Sequence, residues 1–284
     1  MVRARCARAK CRHNACDACV RACPTQAIRA DSSGVSLNAR DCIRCGNCLF
    51  VCPTDAIEGP APLRHIVDGT IEAVDGPPPT AQELLLLHAA HRLRAVLGDA
   101  ASPWRASVDA ANKTLNALGR SPIDWKLPQT SAAPSPSRRA FLRRGSDRIA
   151  HIVAATSAEP ASQALCSAFH DVSLRRIDLS LDACTLCGAC TRICPHAALS
   201  IEALSFVTDH QRCTGCTLCR DSCLESAIDI VDVPCAAAPD IHPLSSGECP
   251  RCGRTFFNWQ SRQTAPLCHI CRKRSMLYGD MSAP

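Results

Sequence analysis

The placement of the cysteines constrains this chain more than any other feature. Cys16, Cys19, Cys23, Cys42, Cys45, Cys48 and Cys52 form one set, and each has a cysteine 171 residues further on, at Cys187, Cys190, Cys194, Cys213, Cys216, Cys219 and Cys223. Seven coincidences at one offset identify a module that occurs twice. Each copy is written in runs of C-x2-C-x2-C-x3-C. Three runs are complete: Cys42, Cys45, Cys48 and Cys52; Cys184, Cys187, Cys190 and Cys194; Cys213, Cys216, Cys219 and Cys223. Pro24, Pro53 and Pro195 follow the last cysteine of their runs. The tails CPTQAI, CPTDAI, CPHAAL and CLESAI read as one element used four times.

Twenty-three cysteines in 284 residues leave three chemistries: disulfides, zinc or iron–sulfur clusters. Disulfides belong to exported chains. Here no apolar h-region follows MVRARCARAK, and no run of eighteen apolar residues is present. The expectation is a cytoplasmic chain without a membrane span, in which this spacing means metal. Aromatic residues make up only 4% of the chain. That is a thin supply for a core, so something else must hold parts of the chain together. Thiolates spaced by two residues, on a loop relieved by Gly46 or Gly188, can wrap three corners of a cubane. A fourth thiolate must come from the opposite side, and in two-cluster folds the other run supplies it.

The runs resemble the bacterial-type two-[4Fe-4S] ferredoxin module, present twice as in polyferredoxin-like dicluster proteins. The resemblance covers residues 11–58 and 177–232. It implies an α+β fold in which each module encloses two clusters between pseudo-symmetric halves. It also implies ligand sets. Cys184, Cys187, Cys190 and Cys223 hold one cluster, and Cys213, Cys216, Cys219 and Cys194 its neighbour. Cys42, Cys45, Cys48 and Cys23 hold a third. Cys16, Cys19 and Cys52 belong to a fourth that lacks its first ligand. Structural zinc knuckles do not show this crossing pattern.

The offset exposes two departures. Subtracting 171 from Cys184 gives His13, not a cysteine. Cys11 is the first candidate to replace it, because C-x4-C-x2-C spacing occurs in plant-type clusters. Cys6, on an otherwise free tail, is the second. His13 ligating through its imidazole is the third, together with a three-iron or empty site. The other departure is Leu224 in place of proline, read as a tolerated change.

Residues 249–271 place Cys249 and Cys252 ahead of Cys268 and Cys271, two C-x2-C knuckles at the separation of a zinc ribbon. Rubredoxin-like iron uses the same ligands. Gly253 suits the knuckle turn, and TFFN reads as a ribbon strand. Arg251, Arg254, Arg262, Arg272, Lys273 and Arg274 face only Glu248 and Asp280 in this tail. With Phe256, Phe257 and Trp259 they suit an acidic partner or nucleic acid, although a metal-stapled domain with a solvated face accounts for them too.

The expected domains are a first two-cluster module at 1–60, a helical hairpin at 61–127, a linker and basic connector at 128–176, a second module at 177–235 and the zinc ribbon at 240–284. Thr80 and Glu83 form a capping box, and Leu86, Ala89, Ala90, Leu93, Val96 and Leu97 continue at helical spacing to Gly98. A second helix starts at Ser102 and Pro103 and stops at Gly119. His88 and His91 share a helix face and read as surface or packing residues, not ligands. PQTSAAPSPS at 128–137 reads as a flexible linker. SRRAFLRRG after it resembles a twin-arginine signal, but Asp147, Arg148 and His151 interrupt the segment behind it, so a basic turn is expected there. Cys166 and Cys235 fit no set.

No P-loop, G-x-G-x-x-G, nucleophile elbow or HExxH is present, so the expected role is electron transfer and not catalysis. The expected cofactors are four [4Fe-4S] clusters and one Zn. The resemblance implies an oxidoreductase complex, such as a molybdenum enzyme, as redox partner. The alternative is a redox-sensing or maturation protein that recognises partners through the ribbon and the basic connector. The formal charge of +6 is no argument for nucleic acid, since bound clusters and zinc bring it to about −4.

Overall fold

The computed structural model describes residues 3–31, 34–90, 92–128, 150–155, 160–261 and 267–278. The linker beyond residue 128, the SRRAFLRRG motif, His91, Arg262 and Asp280 lie outside them. The chain divides into two compact units. One comprises Met1–Ala9 and Ala15–His170, the other Lys10–Asn14 and Asp171–Pro284.

The first unit opens with a 3-10 turn at Arg3–Arg5 and helix α1 (Ala7–Lys10). The cysteine runs allow only short helices between ligand positions: α2 (Ala18–Ala22) and, beyond the antiparallel hairpin of β1 (Ile28–Asp31) and β2 (Gly34–Leu37), α3 (Asn47–Val51). Helices α2 and α3 pack together. Cys19, Ile28 and Val35 form a core no larger than that, with Cys6, Cys23 and Cys48 against it.

Residues 61–127 differ from a helical hairpin. The two helices are present as α4 (Ala81–Ala89) and α5 (Trp104–Ala117), but strands surround them: β3 (Leu63–Val67), β4 (Thr70–Glu72), β5 (Ala95–Leu97) and β6 (Asp124–Lys126). With β7 (Ala150–Ala154) from the expected connector, they make a sheet of order β6-β5-β4-β3-β7. β4, β5 and β6 run parallel, and β3 is antiparallel to both its neighbours. Thr80 caps α4 by accepting the Glu83 N–H at 3.1 Å. The helix stops well short of Gly98. The N–H groups of Arg92 and Leu93 both donate to Leu87 O, and Val96 turns into the sheet between Ile71 and Trp125. Helix α6 (Ala161–Ala168) contacts α4 and α3. Its first turn is held by Asp55 of the CPTDAI tail, whose carboxylate accepts from the Ser162 N–H at 3.0 Å and from the Ser162 hydroxyl.

The first unit also buries an ion pair. Glu83 is fully buried and meets Arg64 in two hydrogen bonds of 2.7 and 2.9 Å. Burial pushes the Glu83 carboxyl upward, and Arg64 pulls it back. The Arg64 guanidinium lies over the Trp104 ring at 5.5 Å.

In the second unit β9 (Arg176–Leu179) pairs with β12 (Ile228–Val231), and β10 (Leu199–Glu202) with β11 (Ser205–Thr208). A short pairing joins β8 (Val172–Ser173) to β13 (Cys235–Ala236). Helices α7 (Ala189–Ile193) and α8 (Leu218–Asp221) pack together among the cysteine runs. The offset of 171 maps β9 onto residues 5–8, which are not a strand. In the first unit a helical N-terminus stands where the second has β9.

The ribbon is not set apart from the second module. Strand β14 (Asp240–Glu248) pairs with β11 through its first half, Pro243 opposite Ser205. Through its second half it pairs with β15 (Thr255–Trp259), Leu244 opposite Trp259. The order β10-β11-β14-β15 is one sheet. Trp259 is buried edge-on to Phe206, ring centroids 5.6 Å apart, and its indole N–H donates to Cys184 O at 3.2 Å. His210 accepts the Ile177 N–H at Nδ1, which leaves Nε2–H for the Asp240 carboxylate at 3.1 Å. Helix α9 (His269–Tyr278) returns to the module through an ion pair between Lys273 and Glu225.

Two substitutions test this packing. Arg64→Met strands the buried Glu83 and costs about 3–5 kcal/mol in chemical unfolding, whereas Arg64→Met with Glu83→Leu recovers most of that loss. Trp259→Ala costs about 3–5 kcal/mol. It raises hydrogen exchange in β10 and β11 and leaves exchange in β3–β6 unchanged.

Candidate metal centres

The fourfold tail element has one backbone shape. Gln26, Asp55, Ala197 and Ser226, each three residues after the last cysteine of a run, have φ of 53°, 48°, 51° and 48°. Gln26, Asp55 and Ser226 donate their N–H to the carbonyl of that cysteine at 3.2, 3.4 and 3.2 Å. The turn closes in the same way without proline, and Leu224 points into solvent at 89% exposure. A short helix precedes this turn at each copy, and a strand follows it directly at Ile28, Leu199 and Ile228 but not after Cys52, so the proline serves a turn.

A second shared device surrounds the middle cysteines. Arg44 and Gly46 flank Cys45, Leu186 and Gly188 flank Cys187, and Gly215 and Thr217 flank Cys216, all with positive φ. Two left-handed residues curl the loop so that successive thiols turn inward. At Gly46 the pressure is steric as well, since a Cβ there would lie 2.6 Å from Pro62 Cδ. The run at Cys16 lacks this device. Asp17 has φ −129°, and Ala15 is not among the positive-φ residues.

These loops bring the thiols into groups of four. Cys190 has Cys184, Cys187 and Cys223 as its charged neighbours, and burial pushes its thiol up to about 12. Cys219 is raised by burial first and then by Cys216, Cys213 and Cys194. Cys48 is raised by burial to about 11, with Cys45, Cys23 and Cys42 beside it. Cys19 is raised by burial to about 12, with Cys52, Cys16 and Cys6 beside it. The last cysteine of each run sits with the first three of the other run. Four neighbouring thiols ionise together only when a cation compensates their charge, which suits metal or cluster ligands.

Amides soften that cost at the crossing cysteines. The N–H groups of Ala56, Ala198 and Ala227 donate to the sulfurs of Cys52, Cys194 and Cys223 at 3.2, 3.3 and 3.3 Å. At Cys23, burial raises the thiol, but the Thr25 hydroxyl and the amides of Ala27, Thr25 and Ile28 outweigh it and lower the pKa.

The structure separates the candidates for the missing first ligand. Cys6 lines one cavity with Cys16, Cys19 and Cys52. The N-terminal segment is fixed there by Arg8, whose Nε donates to Cys16 O at 2.6 Å and whose Nη2 donates to Ala15 O at 3.2 Å. Arg5 pairs with Glu58 at 3.3 Å, and Ala7 is buried. Cys11 and His13 belong to the segment that packs with the second unit. The Cys11 thiol lies 3.9 Å from Asp221 O. Asn14 fastens that segment by donating to Cys216 O, Thr217 Oγ1 and Asp221 Oδ2 at 3.2, 3.1 and 2.7 Å. Cys11 ranks first on spacing alone. The signal for Cys6 is the arginine on either side of it, Arg5 and Arg8, which anchor it beside the site.

The ribbon differs from the other groups. The ligand atoms of Cys249, Cys252, Cys268 and Cys271 all lie within 4.8 Å of one another, and this is the one such group among the described residues. One metal ion needs sulfurs that close, whereas a cubane spreads them over its corners. The Cys268 N–H donates to Cys249 Sγ at 3.5 Å and lowers that thiol to about 6, while burial raises Cys271 to about 12. Cys249, Cys268 and Cys271 are buried, and Cys252 is exposed. Cys166 and Cys235 join none of these groups. Cys166 is buried in α6, and the Cys235 thiol donates to Arg175 O at 3.4 Å.

Among the described residues no helix is long and apolar enough to cross a membrane. A 4Fe-4S dicluster domain matches residues 10–56, and a 4Fe-4S binding domain matches residues 177–200. No curated protein is significantly similar to the chain. The chain carries two iron–sulfur domains of the ferredoxin type, followed by a four-cysteine group at 249–271 with the geometry to hold a metal.

Proposed function

We propose that this chain is an electron carrier with four [4Fe-4S] clusters and one structural zinc, which exchanges electrons with a partner oxidoreductase in the cytoplasm. One observation carries the reading: sixteen thiols fall into four crossed groups, each drawn from two segments. The ligand sets are Cys6, Cys16, Cys19 and Cys52; Cys23, Cys42, Cys45 and Cys48; Cys184, Cys187, Cys190 and Cys223; and Cys194, Cys213, Cys216 and Cys219. Cys249, Cys252, Cys268 and Cys271 hold the zinc. A cluster of this type supplies one electron at a time and, with four protein ligands, leaves no open position for a substrate.

The protein's own groups set how readily that electron is held. The amides of Ala56, Ala198 and Ala227 and the guanidinium of Arg192, which donates to Cys187 O at 3.1 Å, oppose the negative charge gained on reduction. Such donors raise a cluster's potential. The resemblance to polyferredoxin-like subunits favours a large oxidoreductase, of the molybdenum type, as partner.

Anaerobically purified protein is expected to contain about sixteen iron, sixteen acid-labile sulfide and one zinc per chain. Dithionite reduction is expected to give the coupled EPR spectra of cluster pairs. Four zinc without sulfide, or clusters that dithionite leaves silent, would refute the proposal. Cys6→Ala is expected to lose about four iron and the spectrum of one cluster, and Cys11→Ala to lose neither. The reverse result assigns the site to Cys11.

A further inference from the structure

The second unit contains a groove of about 430 Å³ beside one of the crossed groups. Its floor is the loop from Asp182 to Leu186, which carries Cys184, and its walls are β15 and α9. Trp259 closes the inner end through its bond to Cys184 O. The ribbon therefore frames one side of the thiol group of Cys184, Cys187, Cys190 and Cys223 with a shaped surface open to solvent.

The charges around the groove are uneven. Helix α9 has no acidic residue among its ten positions and carries Arg272, Lys273 and Arg274 in succession. Arg251 reaches over to it and donates to Ser275 Oγ at 2.7 Å. Arg192, in α7, donates to the Cys187 carbonyl. The acidic groups of the lining are Asp182 and Glu225, and Lys273 pairs with Glu225. Apolar side chains stand among these cations, with Met276 77% and Leu277 75% exposed. An apolar patch with a basic rim next to a redox group fits a protein surface of opposite charge.

We infer that this groove and helix α9 form the docking face for an acidic electron-transfer protein, which exchanges electrons through the cluster held by Cys184, Cys187, Cys190 and Cys223. The inference rests on the electron-carrier reading above. Rim charges of this kind act mainly on association rate, and salt screens them.

The test is stopped-flow electron transfer from reduced flavodoxin, a small acidic flavoprotein, to the oxidised holoprotein. A net-neutral sulfonated viologen serves as the comparison donor. At low salt, Arg272→Gln with Arg274→Glu is expected to slow the flavodoxin reaction about tenfold, and the difference is expected to vanish at high salt. Met276→Ser alone is expected to slow it about threefold. Zinc and iron contents and the viologen rate are expected to stay unchanged in both variants. Lys113→Glu, on the exposed face of α5, is expected to leave both rates unchanged. Flavodoxin rates that ignore salt and the α9 substitutions overturn the docking face, as does an equal slowing by Lys113→Glu. A DNA oligomer that binds through α9 while flavodoxin transfer proceeds unhindered also overturns it. Failure of the viologen to reduce the clusters at all overturns the electron-carrier reading instead.

Discussion

The burial of thiols in groups of four is the constraint on which the rest of this structure depends. Four sulfurs in a partly buried space cannot all carry charge without a compensating cation, and burial leads the rise of Cys19 and Cys190 to about 12. Sulfurs of these groups are part of the module cores, where Cys19 sits with Ile28 and Val35, and Cys213 and Cys219 with Ile177 and Phe206. Within the two cysteine-rich modules the candidate metal centres and the cores are thus the same places, whereas the core around Leu84, Val96, Trp104 and Leu115 contains none of these cysteines. A chain with few aromatic residues can fold around such centres because metal–sulfur bonding does what a larger apolar interior would otherwise do.

The two modules share a cysteine pattern and differ in backbone where one ligand is lost. In the second, β9 leads into Cys184. In the first, the corresponding residues 5–8 are not a strand, and Cys6 stands at the position of Ile177. The first module thus lacks both a cysteine at 13 and a strand at residues 5–8. A segment released from pairing can approach the cluster site from another direction, and Arg8 then ties it to the carbonyls of Ala15 and Cys16. The missing left-handed residues around Cys16 fit the same account, since that loop no longer has to aim its thiols beside a cysteine at 13.

The cysteine groups were legible in the sequence because ligand geometry tolerates few spacings. The two middle helices were legible through Thr80 and through Pro103 and Gly119. The strands between them were not. β4, β5 and β6 are three residues each, too short to show a period of two, and Val96 lay on a plausible helical stripe. β14 was hidden for another reason. It contains Pro243 and Gly247, which argue against a strand. Pro243 stands opposite Ser205, where the strand changes partner from β11 to β15, and the sheet accommodates it there. That one strand turns a ribbon that reads as a separate domain into a wall of the second module.

The joined ribbon changes what a metal held there would do. A knuckle on a tether stabilises only itself. Here the metal-binding loops flank β15, and β15 presents Trp259 to the carbonyl of Cys184. Order imposed on Cys249, Cys252, Cys268 and Cys271 is therefore passed along one strand to the loop that carries two thiols of the neighbouring group. The hydrogen bonds around a cluster tune its potential, so a rigid strand that fixes one of them also fixes part of the redox behaviour. The first module is braced differently. Its support is Asp55, which leaves the CPTDAI tail to hold the start of α6 and so fastens its cluster loops to a layered domain. Two copies of one cysteine pattern are thus braced by unrelated structures, each gripping the module through a residue at or near a thiol.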